Sequence, residues 1–130
     1  MREPFLEVMN LYKLFGGLSA VRNVSFEIGR EEVLGLIGPN GAGKSTIVRL
    51  LTGILRPSAG EIFFKNTDIS KKSISGIVNL GLAATSQIVK PFRRLPVIAN
   101  VMVPCLSPRS GRKGEWVKTV ELRARDALEF

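Results

Sequence analysis

The segment Gly38–Thr46, GPNGAGKST, constrains the fold of this chain more than any other part of the sequence. Its glycines allow backbone conformations that residues with a β-carbon disfavour, so successive N–H groups can turn inward around one anion. The short apolar run Val33–Ile37 before it predicts a strand buried on both faces of a parallel sheet, and Lys44–Leu51 after it predicts a helix. This order of strand, glycine-rich loop and helix predicts an α/β core.

The same segment matches the pattern G-x-x-x-x-G-K-[ST], which predicts a nucleoside-triphosphate site. Lys44 would place a positive charge on the β- and γ-phosphates, and Ser45 would offer a hydroxyl to Mg²⁺. A glycine turn that only caps a helix is the alternative, but the predicted strand before the loop favours phosphate binding. The residues predicted to contact the nucleotide here are Gly38, Pro39, Asn40, Gly41, Ala42, Gly43, Lys44, Ser45 and Thr46.

Composition excludes several kinds of chemistry. The 130 residues include no His, one Cys and two Asp, so they cannot form a Ser-His-Asp triad, a His-ligated metal site or a four-thiolate zinc site. Cys105 has no partner for a disulfide within the chain, which is typical of a reducing compartment. The sequence contains neither a signal-peptide pattern nor about 20 consecutive apolar residues, so membrane association would require a partner.

The net charge of +8 raises the possibility of nucleic-acid binding. Most of the excess lies in residues 90–130, where nine basic residues face four acidic ones. No RNA-binding aromatic pattern accompanies these charges. We therefore expect a solvated basic face and no nucleic-acid partner.

The remaining elements follow from hydrophobic periodicity and turn residues. After Lys90 the chain becomes basic and proline-rich, and Ser107–Gly114 is predicted to be a basic loop. We predict strands at Phe5–Leu11, Val21–Ile28, Glu61–Phe64 and Leu82–Thr85, turns at Phe15–Gly17 and Lys65–Asp68, and helices at Lys72–Leu80 and from Glu115 onward.

Four stretches together resemble the ATP-binding cassette (ABC) family: FGGLSAV, GPNGAGKST, RPSAGEI and Gln87 at a predicted strand end. FGGLSAV and PFRRLPVIANVMVP (Pro91–Pro104) are most similar to ATP-binding subunits of branched-chain amino acid importers, the LivG-like branch. The resemblance implies an α/β P-loop NTPase fold of the ABC type. Residues 1–130 would be the N-terminal part of a single domain, with an antiparallel β part (about 5–35 and 61–64) and P-loop core to about 89, followed by the Q-loop and the start of the helical region over 90–130.

The resemblance also implies roles for individual residues. Phe15 would stack on adenine, with Tyr12 as the competing candidate. Gln87 matches the Q-loop glutamine, which reaches Mg²⁺ and the attacking water, so Lys44 and Gln87 are the candidate catalytic residues and Ser45 and Gln87 the candidate Mg²⁺ ligands. Three positions depart from the family pattern: Ser86, Glu31-Glu32 and Asn66 stand where the family usually has an aromatic, Gly-Glu and glycine.

Three parts of the family's hydrolytic machinery are missing from the 130 residues. Neither Asp68 nor Asp126 ends an apolar strand, no Ser-Gly-Gly occurs, and there is no switch His. We therefore predict negligible ATP hydrolysis by this chain alone. In the family the strand before the phosphate loop is central to its sheet, with neighbours from later sequence, so we also expect Val33–Ile37 to lack cover and the domain to be marginal or partly open.

By resemblance, the chain is the ATP-binding component of an ABC transporter that energises branched-chain amino acid import. Its partners would be transmembrane permease subunits and a second ATP-binding subunit in a head-to-tail dimer, at the cytoplasmic face of the membrane, with ATP and Mg²⁺ as cofactors. The sequence leaves two alternatives open. One is a nucleotide-binding regulatory module without hydrolysis, and the other is the ATPase component of a different ABC system, such as an exporter.

Overall fold

The computed structural model describes residues 4–85, 91–105 and 125–126. The chain forms two compact units, Met1–Ala84 and Thr85–Phe130. The first contains a four-stranded antiparallel sheet and two short helices, and the second contains one described helix. The elements are β1 (Leu6–Phe15), β2 (Leu18–Ile28), α1 (Lys44–Leu51), β3 (Ala59–Phe64), β4 (Thr67–Asp68), α2 (Ile74–Leu80) and α3 (Val97–Cys105).

The sheet has the strand order β2-β1-β3-β4 and is built around a long hairpin. Strands β1 and β2 pair up to Phe15 and Leu18, so only Gly16 and Gly17 form the turn. Both glycines have positive φ, 50° and 92°, which a two-residue hairpin turn requires. Both predicted strands are confirmed, whereas the turn predicted at Phe15–Gly17 is confined to its two glycines, because Phe15 pairs with Leu18. The strands extend to the turn because so short a connection leaves no room for an unpaired loop.

A second tight turn joins β3 to β4. Lys65 and Asn66 adopt positive φ, 50° and 59°, and the ladder resumes with Thr67 opposite Phe64. Asparagine tolerates this conformation better than most residues, so Asn66 can adopt the positive φ that the turn requires. The polar turn predicted at Lys65–Asp68 is therefore confined to its first two residues, and the other two form β4.

One apolar core joins the sheet to both helices of the first unit. Inward-facing strand residues alternate with polar ones, α1 contributes Ile47 and Leu50, and α2 contributes Ile77. The rings of Phe5 and Phe64 meet edge-on with centroids 5.0 Å apart. The buried apolar residues are Leu6, Val8, Leu11, Val21, Ile47, Leu50, Ile62, Phe64, Ile69 and Ile77.

Two predicted strands are absent from the described sheet. Val33–Ile37 lies outside any strand, and its end residues Val33 and Ile37 are 95% and 97% exposed. Leu82–Thr85 is also outside any strand. An apolar run becomes a parallel strand only when neighbouring strands supply hydrogen bonds and cover, and no described residue does so for Val33–Ile37. The strand prediction is therefore wrong here, whereas the expected loss of cover is confirmed.

The helices agree with the sequence in part. Helix α1 has the predicted bounds, and α2 begins two residues later than predicted because the Ser73 side chain caps it by accepting from the Gly76 amide. Helix α3 starts directly after Pro96; hydrophobic periodicity did not predict it, although the resemblance implies that a helical region begins within residues 90–130. The helix predicted from Glu115 lies outside the described residues. Within the described parts of the chain, none of the helices has the length and apolar character that crossing a bilayer requires.

Candidate functional site

Two glycines of the glycine-rich loop adopt backbone conformations that other residues disfavour. Gly41 and Gly43 have φ values of 84° and 87°, in the left-handed region that favours glycine. Gly43 also lies against strand β2, since a β-carbon there would stand 2.5 Å from the carbonyl oxygen of Ala20. Position 43 therefore requires glycine for two independent reasons, and the contact places the start of α1 directly beside the β1–β2 hairpin.

Helix α1 begins immediately after this contact and has no side-chain cap. The Gly43 carbonyl accepts the first helical hydrogen bond, from the Ile47 amide at 2.9 Å. No side chain bonds to the N-terminal amides, and the first turn contains no acidic residue. A helix start of this kind has unsatisfied N–H groups and a partial positive charge, which together bind anions such as phosphate.

The Lys44 ammonium folds back onto the loop. Its Nζ donates hydrogen bonds to the carbonyl oxygens of Gly38 and Pro39, each at 2.6 Å. These two hydrogen bonds keep the positively charged ammonium group at the start of the loop. Because hydrogen bonds to ionised acceptors are about twice as strong as those to neutral ones, phosphate oxygens can compete for this ammonium.

The other predicted phosphate-contacting residues are accessible. Ser45 is exposed at the first turn of α1, and Thr46 and Gly43 are half-buried. The loop between its first glycine and α1 is held together by a turn in which the Ala42 amide donates to the Pro39 carbonyl at 3.3 Å. The structure therefore brings together the predicted set from position 38 to 46. The exposed members besides Ser45 are Gly38, Pro39, Asn40, Gly41 and Ala42.

Phe15 stands at the end of β1 and is 45% exposed. The Lys13 ammonium lies 5.0 Å from the centroid of its ring and donates to the Arg56 carbonyl at 2.9 Å. Lys13 therefore links the ring to the segment that follows α1. Sequence reasoning missed Lys13, although a spacing of two residues on a strand places both side chains on the same face.

The two candidate adenine platforms differ in exposure. Tyr12 is half-buried, and its backbone carbonyl accepts a hydrogen bond from the Ser58 amide at 2.8 Å. Phe15 pairs with Leu18, which lies only two residues from the Ala20 carbonyl that touches Gly43. Two residues of strand span about 7 Å. Tyr12 lies at a similar distance from the loop, since its neighbour Lys13 pairs with Val21, so the greater exposure of the ring is what favours Phe15.

Gln87 and Ser86 lie outside the described residues. The described segment that follows them is organised by Asn100 of α3, another residue that sequence reasoning missed. Its Oδ1 accepts from the Phe92 amide at 2.7 Å, and its Nδ2 donates to the carbonyls of Phe92, Leu95 and Pro96 at 3.1–3.2 Å. One side chain thus ties the loop before α3 to the helix.

Comparison with known proteins supplies a family match. The model of the ABC transporter family matches residues 21–128 of this chain. The matched range includes the phosphate loop and excludes Phe15.

Curated relatives give the same result. The chain is 42% identical over 103 residues to the high-affinity branched-chain amino acid transport ATP-binding protein LivG of Salmonella typhimurium. It is 37% identical over 103 residues to BraF of Pseudomonas aeruginosa, which carries the same description. In both cases the match includes 79% of this chain and 40% of the relative. The chain therefore spans less than half the length of the curated relatives that it matches.

Solved structures agree on the fold. A nucleotide-free ATP-binding cassette from an ABC transporter is 27% identical, with a TM-score of 0.73 over 98% of this chain and 47% of that structure. A dimeric bacterial ABC transporter cassette reaches a TM-score of 0.81 over 95% of this chain and 56% of that structure, at 21% identity. The described sheet and loop thus have the arrangement found in ATP-binding cassettes.

Proposed function

Since the chain belongs to the ABC transporter family, we propose that it binds ATP with Mg²⁺ through the loop Gly38–Thr46. The observation that carries this proposal is the position of the Lys44 ammonium, 2.6 Å from two loop carbonyls and next to an uncapped helix start. The ammonium, the loop amides and the helix dipole converge on one exposed loop, and all three attract a polyphosphate.

The loop would contribute backbone amides and one ammonium group to binding, and the hairpin would contribute a ring. The backbone amides of the loop and of the first turn of α1 bind phosphate oxygens, and Lys44 exchanges its carbonyl partners for the β- and γ-phosphates. Phe15 stacks on the adenine from the end of the hairpin.

The chain offers two candidate ligands for the metal ion. Ser45, exposed at the first turn of α1, would supply a hydroxyl ligand for Mg²⁺. Gln87, which the resemblance to the family implies as an amide-oxygen ligand, lies outside the described residues. When bound, the ion neutralises charge on the phosphate oxygens.

We further propose that the complete protein energises the import of branched-chain amino acids. The support is the 42% identity to LivG, whose description names that transport. Such a protein would act with transmembrane permease subunits and with a second ATP-binding subunit, as a peripheral component at the cytoplasmic face of the membrane. Export or another ABC system is less well supported, because the curated relatives above are described as branched-chain amino acid transport proteins.

The 130 residues by themselves are proposed to bind nucleotide without turning it over. They contain no His and no Asp at the end of an apolar strand, so groups that hold Mg²⁺ and orient water in this family are missing. ATP hydrolysis by the purified chain at a rate that Lys44→Ala abolishes would overturn this part of the proposal.

Titration with a fluorescent ATP analogue tests binding directly. We expect saturable, Mg²⁺-dependent binding, and a dissociation constant at least about tenfold larger for Lys44→Ala, since a charge-assisted hydrogen bond contributes about 1.5–3 kcal/mol. Lys71→Ala removes an exposed lysine from the same unit and serves as the control. Equal affinity of the Lys44 and Lys71 variants would contradict the proposal.

A further inference from the structure

The Lys13 side chain contacts both the proposed adenine platform, Phe15, and the segment that follows α1. Lys13 is half-buried, and its ammonium lies over the Phe15 ring, 5.0 Å from the centroid. The same ammonium donates a hydrogen bond to the Arg56 carbonyl at 2.9 Å. A cation at this distance is attracted to the electron-rich face of an aromatic ring. One face of the ring is therefore held by a charge that is itself bonded to the backbone.

The backbone at residues 55–58, which supplies this carbonyl, is bonded to both α1 and β1. The Leu55 amide donates to the Arg49 carbonyl in α1 at 3.0 Å. The Ser58 hydroxyl accepts from the Leu14 amide in β1 at 3.0 Å. The segment therefore links the helix that begins at the phosphate loop to the strand that ends in the platform ring. These contacts are made within the first unit and do not depend on which of its surfaces are covered.

We propose that Lys13 is a positioning residue for nucleotide binding, which holds the Phe15 ring so that the base stacks on the face opposite the ammonium. The inference rests on the proposed function, in which Phe15 stacks on adenine. The ring is 45% exposed, so packing alone fixes it only in part. A ligand that must immobilise a free side chain loses affinity, because the side chain loses conformational entropy. Since the ammonium already fixes the ring, the base avoids much of this loss.

Lys13→Met tests this role, because it keeps an apolar stem of similar length and removes the charge. We expect the dissociation constant for ATP with Mg²⁺ to rise about two- to fivefold, the size of a weak cation–π interaction. Equal affinity of Lys13→Met and the wild type would overturn the proposal.

Lys65→Met is the matched control. The Lys65 ammonium also lies over a ring, 5.1 Å from the Phe5 centroid, and it also donates to a carbonyl, that of Leu80 at 3.2 Å. Phe5 precedes β1, whereas Phe15 ends it, so the two lysines act at opposite ends of the strand. We therefore expect Lys65→Met to bind ATP like the wild type. An equal loss of affinity in the Lys13 and Lys65 variants would show a general effect of removing a surface charge.

Inorganic tripolyphosphate separates positioning of the ring from attraction of the phosphates. It carries a chain of three phosphates but no base, so it binds the phosphate loop without using the ring. We expect Lys13→Met to bind tripolyphosphate with wild-type affinity, which also shows that the variant is folded. If Lys13→Met weakens the binding of tripolyphosphate as much as that of ATP, the ammonium acts on the phosphates or on the fold, and the positioning role is wrong.

A double-mutant cycle assigns the effect to the ring. In a Phe15→Ala background there is no ring to position, so adding Lys13→Met should cause no further loss of ATP affinity. An undiminished loss in that background would mean that Lys13 acts on the nucleotide by another route, and it would refute the proposal.

Nuclear magnetic resonance observes the contact in the free chain. Nuclei over the face of an aromatic ring are shielded, so the methylene protons beside the Lys13 ammonium should resonate upfield of their usual position. This shift should disappear in Phe15→Ala. A Lys13 signal that Phe15→Ala leaves unchanged would contradict the contact on which the role depends.

The outcomes separate this role from the proposed function. If neither ATP nor tripolyphosphate binds in a manner that Lys44→Ala weakens, the proposed function is wrong, and this role is wrong with it. If both ligands bind through Lys44 and Lys13→Met changes neither affinity, the nucleotide site stands and only the positioning role is overturned.

Discussion

Gly43 and Ala20 are in such close contact that a β-carbon on residue 43 would stand 2.5 Å from the Ala20 carbonyl oxygen. The contact joins the phosphate loop to strand β2, and strand β2 pairs with the strand that carries Phe15. The start of α1 is therefore positioned by the sheet as well as by the loop. The contact makes it possible to separate the steric demand at position 43 from the conformational demand shared with Gly41.

Gly43→Ala and Gly41→Ala form a matched pair for this separation. The φ angle is 87° at Gly43 and 84° at Gly41, so an alanine at either position costs about 1–2 kcal/mol of backbone strain. At Gly41 no heavy atom lies within 4 Å of the added carbon, whereas at Gly43 the carbon meets the Ala20 carbonyl. We expect Gly43→Ala to lose about 1–3 kcal/mol more of unfolding free energy, measured by urea denaturation. Equal losses would show that the contact relaxes at no cost.

Phe15→Ala tests the adenine platform. Stacking of a base on an aromatic ring contributes about 1–3 kcal/mol, so ATP affinity should fall roughly five- to 150-fold. Since stacking tolerates any base, the wild-type chain should bind GTP with similar affinity, and the substitution should weaken GTP binding by a similar factor. Titration of both nucleotides measures these factors.

Two neighbouring substitutions control the Phe15 experiment. Leu14→Ala removes an exposed apolar side chain on the opposite face of β1 and should leave affinity unchanged. Tyr12→Ala discriminates between the two candidate platforms. If Tyr12→Ala weakens binding and Phe15→Ala does not, the assignment of the ring is wrong.

The sequence predicts those elements whose determinants are local. Helix α1 was placed at its observed bounds, because a glycine-rich loop, apolar periodicity and following Gly53 and Pro57 all lie within a few residues of it. The two tight turns were also predicted from local residues, since Gly16, Gly17 and Asn66 tolerate the positive φ that these turns require.

The sequence fails where structure depends on distant partners. The pattern of Val33–Ile37 indicates a buried strand, but its state depends on neighbours that the described sheet does not provide. Contacts such as that of Lys13 with the Arg56 carbonyl, 43 residues away, leave no periodic signal in the sequence. Helix α3 was not recognised because Pro96 precedes it and Pro104 lies within it, and prolines usually argue against a helix. A proline at the start of a helix is nevertheless a start signal.

Asp68 should contribute stability that is lost in acid. Hydrogen bonds from the Ser70 hydroxyl and amide, and then the charges of Lys71 and Lys72, hold the pKa of this carboxyl below its ordinary value of 3.8. A carboxyl with a depressed pKa in the folded state stabilises the fold above its unfolded pKa, and this contribution disappears as the pH falls through the folded pKa. We therefore expect unfolding midpoints to decline below about pH 3.8, and to decline less in Asp68→Asn.

The hydroxyl of Ser70 gives this prediction an independent check. Its oxygen accepts from the Ile62 amide at 2.8 Å, and the Ser70 amide donates to Asp68 at 2.8 Å, so the three groups form one network. A double-mutant cycle of Asp68→Asn and Ser70→Ala should therefore show a non-additive effect at neutral pH and a smaller one in acid. An identical acid response in wild type and Asp68→Asn would refute the assignment.

Asn100 should control local opening of the loop at residues 92–96. Asn100→Ala removes the acceptor of the Phe92 amide, so hydrogen exchange at that amide should accelerate about five- to tenfold, for a net hydrogen bond of about 1 kcal/mol. Asn100→Asp separates the two kinds of bond, because a carboxylate still accepts from Phe92 but cannot donate to the carbonyls of Leu95 and Pro96 and is repelled by them. The Phe92 amide should therefore exchange more slowly in Asn100→Asp than in Asn100→Ala. Equal acceleration in both variants would show that the loop is held by the donated bonds, and no acceleration in Asn100→Ala would show that the side chain does not hold it.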